Sequence, residues 1–145
     1  MSDTKLSDQD RAQRIVERMM SHDGFSRWLG VVVKEIAPGR AVIEMKIRDE
    51  MLNGFGTCHG GIQYSLADSA LAFASNGRGR KSVALENVIS YPAPVVTGDV
   101  LTAHAEEVSL GNTIGTYDIT VFNQHKRKVA LFRGSVYRLR EEWEV

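Results

Sequence analysis

Apolar residues first recur at Ala12, Ile15, Val16, Met19 and Met20, the three-and-four spacing of one helix face. Ser7, with Asp10 three residues on, supplies an N-cap and an acidic first turn. His22-Asp23-Gly24 closes this short amphipathic helix, a lid or packing element, with Gly24 at the C-terminal cap. Trp28 to Ile36 then carries the β-branched run Val31-Val32-Val33. Ala37-Pro38-Gly39-Arg40 makes a turn. Ala41 to Ile47 alternates, with Val42, Glu44 and Lys46 against Ile43, Met45 and Ile47. This pattern predicts a β-hairpin. Asp49 to Cys58, with Asn53-Gly54 and Gly56, reads as a loop.

His59 to Asn76 is the longest helical stretch. It holds Ile62, Leu66, Ala67, Ala70, Leu71, Phe73 and Ala74 with few polar interruptions, so it is apolar nearly all round and belongs in the core. Beyond Asn76-Gly77 the pattern predicts four strands, Ser82 to Tyr91, Val100 to Val108, Thr113 to Phe122 and Val129 to Leu139. Gly111-Asn112 and the polar stretch Asn123 to Lys128 serve as hairpin turns. Tight turns between consecutive strands require antiparallel pairing. The layout is therefore α+β: a five- to six-stranded antiparallel sheet wrapped around one long central helix, with an N-terminal helix. One helix covers only part of such a sheet, which leaves exposed sheet area and edge strands for subunit contacts.

Composition narrows the partners. The 145 residues fit a single domain, and 18 basic against 18 acidic side chains give a formal net charge of zero. That balance speaks against nucleic acid or an anionic membrane as the main partner, since both select a basic excess. A single cysteine, Cys58, excludes an intrachain disulfide and a Cys-rich zinc site. The polar Met1–Gln13 is unlike a secretory signal, and no apolar run approaches the roughly 20 residues of a membrane span. These features point to the cytoplasm. His22, His104 and His125 show no metal-binding spacing, so no metal is expected.

Two features of the central helix carry chemistry. Gly60 and Gly61 open it, where backbone N–H groups lack intrahelical partners and a missing Cβ lets a ligand oxygen approach. The same glycines would also serve close packing against a strand. Asp68 lies in the middle of this apolar helix, and a buried carboxylate must be paired, hydrogen-bonded or placed at a cleft. There it can act as nucleophile or general base, or simply bond Tyr64, Ser65 or Ser69. Gly60 and Asp68 are eight residues apart, about 12 Å along a helix. Both cannot reach one carbonyl from one copy, so if both act, two copies around a two-fold axis share the site. A Cys58–His59 dyad is disfavoured because sequence neighbours at a loop–helix junction seldom face each other. Arg78, Arg80 and Lys81, and separately Lys126, Arg127 and Lys128, are solvated charge runs or local phosphate sites.

The run Asn53-Gly54, Cys58-His59-Gly60-Gly61 and Ser65-Leu66-Ala67-Asp68-Ser69-Ala70 resembles the hotdog-fold acyl-CoA thioesterases, most closely the phenylacetic acid degradation branch. Met51-Leu52, Gly98-Asp99, Asn123-Gln124 and Val129 to Gly134 extend the resemblance, which covers Trp28 to Arg140. It implies one hotdog domain over residues 1–145, with a helical segment at 1–26 and the core at 27–140. It also implies a homodimer joined sheet edge to sheet edge, and two such dimers as a homotetramer. The implied reaction hydrolyses an acyl-CoA, of aryl or medium chain such as phenylacetyl or hydroxyphenylacetyl, to free acid and CoA. By position Asp68 matches the catalytic carboxylate, Gly60 the N–H that polarises the carbonyl, and Asn53 a loop amide nearby. His59, Gly61 and Ser69 take supporting places, and Arg78, Arg80 and Lys81 would meet the CoA phosphates. CoA is part of the substrate and no cofactor is implied. Some relatives carry Ser or Thr on the next strand to position water, where this chain has Ala84; Ser69 is a substitute and Glu86 an unassigned acid. An enoyl-thioester hydratase using His59 and Asp68, about 13 Å apart along the helix, and an acyl-CoA binding module without turnover are the alternatives on this fold.

Overall fold

A computed structural model describes residues 4–145; Met1–Asp3, where the polar N-terminal stretch and the domain read from the sequence begin, lie outside the described residues. Helix α1 spans Asp8–His22 and is capped by Ser7, whose hydroxyl accepts from the Asp10 N–H at 3.0 Å. Its Ala12, Ile15 and Val16 are buried. The end of this helix differs from the sequence reading. Gly24 is not its C-cap: Asp23 is, and the same Asp23 caps a second helix, α2, at Gly24–Leu29. The Asp23 carboxylate accepts from the Ser26 N–H at 2.8 Å and from its hydroxyl at 2.7 Å, which outweighs the turn preference of glycine. Trp28 and Leu29 are therefore helical rather than part of a strand, and Gly30, at φ +80°, ends the turn in the left-handed region.

The remaining elements lie within a few residues of their expected places. Strands β1 (Val32–Ala37) and β2 (Arg40–Lys46) form the hairpin. Helix α3 spans Gly60–Asn76. Strands β3 (Arg80–Ser90), β4 (Val100–Leu110), β5 (Ile114–Phe122) and β6 (Lys128–Glu142) complete one six-stranded antiparallel sheet in the order β1-β2-β4-β5-β6-β3. The sheet wraps α3, which touches all six strands. Leu66, Ala67, Ala70, Leu71, Phe73 and Ala74 of the helix bury against Ile43, Ala103, Ala105, Ile119 and Val136, among others. Alanines on both the helix and β4 let them approach closely.

The last strand by sequence, β6, lies inside the sheet because β3 crosses over to pair with it, leaving β1 and β3 at the edges. The outer edge of β3 carries Val83, Leu85 and Val88, each more than half exposed. The ladder slips between Ala84 and Glu86, so the strand bulges at Leu85. No helix among the described residues is long and apolar enough to cross a membrane.

Candidate active site

Gly60, Tyr64 and Asp68 are four residues apart and form one stripe of α3. β3 runs back along that stripe. Tyr91, just beyond the strand, donates its hydroxyl to the Gly60 carbonyl at 2.8 Å, and Asn87 donates to both Tyr64 Oη (2.9 Å) and Asp68 Oδ1 (3.2 Å).

At the start of the helix three N–H groups point out of the first turn, and two are spoken for. The Gly61 N–H donates to His59 Nδ1 at 2.9 Å, and the Ile62 N–H to the His59 carbonyl at 3.0 Å. His59 is thus the N-cap, a structural place that occupies one ring nitrogen. The Gly60 N–H takes no such partner among the described residues. Both glycines are also close-packed: a Cβ at residue 60 would lie 3.1 Å from the Tyr91 ring, and one at residue 61 would lie 3.0 Å from His59 Nδ1. The close-packing role is thus met, and it leaves room for the ligand approach expected at Gly60. Side chains at these positions would displace the groups that leave one N–H free.

A cavity of about 270 Å³ opens beside Gly60, lined by Asn53, Cys58, Gln63, Tyr91, Ala93 and Val95 among others. Asn53 holds its own loop: its oxygen accepts from the N–H groups of Phe55 (2.9 Å) and Thr57 (3.2 Å), and its amide donates to Thr57 Oγ1 (3.2 Å). The other amide hydrogen of Asn53 has no partner among the described residues. Burial pushes the Cys58 thiol up to about 11, so it is neutral at physiological pH and no nucleophile. Gln63, unremarked in the sequence, is 4% exposed, and its Oε1 has no hydrogen-bond partner among the described residues.

Asp68 is half-buried. Burial pushes its carboxyl above the usual carboxylate range, and the Asn87 hydrogen bond pulls partly back. Oδ1 takes that bond, and Oδ2 takes none among the described residues. Ser69, one residue on, points elsewhere: its hydroxyl lies 2.9 Å from Ser26 Oγ and ties α3 to α2. Ser65 donates to the Gly61 carbonyl at 2.7 Å. Glu86 is exposed on β3. Asn87 is the site residue that sequence reasoning missed. Its alternation with Ile89 and Tyr91 was visible, but the bulge at Leu85 breaks the period before it, so the sequence carried little signal.

The three cations after the helix are engaged within the chain. Arg78 forks onto Glu107 at 2.6 and 3.0 Å, and Lys81 pairs with Glu141 while lying over the Trp143 ring. Arg80 donates to the carbonyls of Leu139 (2.8 Å), Arg138 (3.0 Å) and Asn112 (2.9 Å) and meets no carboxylate among the described residues. Gly60 and Asp68 stay about 12 Å apart along α3.

Residues 55–130 match the model of the thioesterase superfamily. The chain is 39% identical over 129 residues to the acyl-coenzyme A thioesterase PaaI of Escherichia coli, covering 89% of this chain and 92% of that protein. The solved structure of E. coli PaaI, from the phenylacetic acid degradation operon, superposes with a TM-score of 0.92 at 38% identity over 94% of this chain and 99% of that one. A hypothetical thioesterase protein of Streptococcus pneumoniae, solved with coenzyme A, superposes with a TM-score of 0.75 at 26% identity, over 78% and 91% of the two chains.

Proposed function

The chain belongs to the thioesterase superfamily, and on that premise we propose that it is an acyl-CoA thioesterase whose two active sites each take residues from two copies of the chain. The observation that carries this reading is the pairing of one unclaimed helix N–H at Gly60 with one carboxylate oxygen left open at Asp68, eight residues further along the same helix. A thioester carbonyl seated on the Gly60 N–H is polarised by the positive end of α3. Asp68 of the partner subunit attacks from the other side through Oδ2. As a base it takes a proton from water, and the hydroxide adds to the carbonyl carbon. The oxyanion then collapses, the C–S bond breaks, and CoA leaves as its thiol after gaining a proton. As a nucleophile the carboxylate adds directly, CoA leaves, and water hydrolyses the mixed anhydride. Asn53 uses its spare amide hydrogen toward the water or the acyl group.

The open edge of β3, with Val83, Leu85 and Val88 exposed, supports a homodimer joined through that strand, with two such dimers forming the tetramer. Two β3 strands paired around a two-fold axis run antiparallel. That brings the Arg80 end of one copy to the Gly60 end of the other. Of the three cations assigned to the CoA phosphates, Arg80 keeps an unneutralised charge. It shares a cavity of about 390 Å³ with Arg138 and Arg140, whereas Arg78 and Lys81 would have to exchange Glu107 and Glu141 for phosphate. The acyl cavity beside Gly60 is larger than the roughly 150 Å³ that admits a benzene ring, and Tyr91, Ala93 and Val95 are among its walls. An aryl acyl group of the phenylacetyl or hydroxyphenylacetyl type fits that lining and the similarity to E. coli PaaI. The same reading assigns the enzyme to the cytoplasm, with Cys58 reduced.

Thiol release from a panel of acyl-CoA thioesters tests the activity. Asp68→Ala is expected to lower kcat by about 10²–10⁴-fold. Turnover near that of the unmodified chain overturns the assignment. Hydration of a crotonyl thioester without thiol release would make the chain a lyase, and tight retention of intact acyl-CoA would make it a binding module.

A further inference from the structure

A carboxylate that reacts through one oxygen must be held in a fixed orientation by its other contacts. The strand position expected to carry a water-positioning hydroxyl is Ala84, and Ser69 is turned to Ser26. Ser65 spends its proton on the Gly61 carbonyl. Tyr64 Oη reaches the carboxylate only by way of Asn87. Asn87 is the one side chain among the described residues that hydrogen-bonds Asp68.

Its surroundings show what the fold commits to keeping it there. In the β3–β6 ladder Asn87 stands opposite Gly134. A Cβ at residue 134 would lie 2.6 Å from Asn87 Oδ1, 2.7 Å from Leu71 Cδ2 and 3.0 Å from the Phe132 ring. A glycine in mid-strand weakens a sheet, and here it clears the volume that the amide occupies. The amide nitrogen then donates twice, to Tyr64 and to Asp68. The amide oxygen is buried with no hydrogen-bond partner among the described residues, a costly arrangement that a Leu or Met at this place would avoid. Tyr64 is itself fixed by an edge-on contact with Phe132 at 5.4 Å, so the bridge has a rigid far end.

We propose that Asn87 is the positioning residue of the hydrolytic carboxylate: braced on Tyr64 and admitted by Gly134, it binds Asp68 Oδ1, sets the plane of the carboxylate and leaves Oδ2 as the reacting oxygen. It takes over the orienting task that a strand hydroxyl would perform at Ala84. Its N–H also favours the charged form of a carboxylate that burial disfavours. This rests on Asp68 acting in hydrolysis, and the experiment separates the two statements.

Full-length chains carrying Asp68→Ala, Asn87→Leu, Asn87→Ser and Asp68→Ala/Asn87→Leu are compared on phenylacetyl-CoA, or the best substrate of the panel. Steady-state thiol release gives kcat and KM, and single turnovers with enzyme in excess give the residual rates. Leucine keeps the branched shape of the amide at a larger volume, and serine is a smaller polar replacement should leucine disturb folding. Both Asn87 variants are expected to lose about 10- to 100-fold in kcat, with KM within threefold of the unmodified enzyme. In the Asp68→Ala background Asn87→Leu should cost nothing further, because the two act as one unit. An unchanged kcat in both Asn87 variants overturns the proposal, as does an equal loss with and without Asp68. Asp68→Ala retaining full turnover overturns the parent reading and this one together.

Discussion

The two ends of α3 are built to opposite specifications. At the C-terminal end, Asn76 donates to the carbonyls of Ala72 (2.9 Å) and Ser82 (3.2 Å) and accepts from the Ser82 N–H (3.0 Å) and the Trp143 indole (2.9 Å). The Gly77 N–H returns to the Phe73 carbonyl at 3.0 Å. Every polar atom of the buried Asn76 side chain is in use. At the N-terminal end the cap is incomplete by one donor: His59 satisfies Gly61 and Ile62, and Gly60 faces a cavity. The closed end anchors the helix. The open end, with the half-engaged carboxylate at mid-helix, holds the unspent hydrogen-bonding capacity that the proposed reaction would use.

Removing the one free donor should show this difference at its largest. Beside Gly60→Ala, a control that brings the same Cβ to 3.1 Å from the Tyr91 ring and keeps the N–H, Gly60→Pro deletes that N–H at the first helical position, where proline is tolerated. It should lower kcat by about 10²–10³-fold with little loss of secondary structure by circular dichroism. A kcat within threefold would mean that the open end is not the oxyanion site. At the closed end the expectation reverses. Asn76→Ala strands several buried groups and should destabilise the fold by about 1–3 kcal/mol in urea titrations, with kcat per folded molecule unchanged. An Asn76 variant that loses turnover but not stability would erase the contrast.

The smallest effect concerns the charge at mid-helix. Burial raises the Asp68 pKa above 3.8. The proposed role requires the ionised form, so kcat should fall on acidification with a midpoint above that value. The stability sign is the opposite. A carboxyl whose folded pKa is raised contributes most below its unfolded pKa, and that contribution is lost as pH rises through the folded pKa. At neutral pH the charge is a cost, and Asp68→Asn should raise Tm by about 2 °C while abolishing turnover. Solvent screening of the half-exposed carboxylate keeps the gain this small.

Most of the fold could be read from periodicity. The apolar-all-round helix and the alternating strands fell within a few residues of their places because burial imposes those periods on the chain. The junction at Asp23 could not. Whether Asp23-Gly24 ends one helix or starts another depends on where Ser26 lies, a three-residue geometry that apolar spacing does not report. The proposed site was legible where backbone chemistry dictates residue type, at the glycines and at a carboxylate inside an apolar helix. It was illegible where it depends on pairing across the sheet. Asn87 touches Asp68 only because β3 crosses to the far edge beside β6 and because Gly134 lies opposite it. The ion pairs of Arg78 and Lys81 with Glu107 and Glu141 likewise join residues 29 and 60 positions apart.

The central claim is that each site takes Gly60 from one copy and Asp68 from another. Chains carrying only Asp68→Ala and chains carrying only Gly60→Pro are unfolded together in equal amounts, refolded and assayed for thiol release. Half of randomly formed dimers then pair unlike chains, and each mixed dimer holds one intact site and one doubly broken one. The account predicts recovery of about one quarter of the unmodified activity. Activity no higher than the average of the two parent variants, in a sample shown to contain mixed dimers, would contradict it.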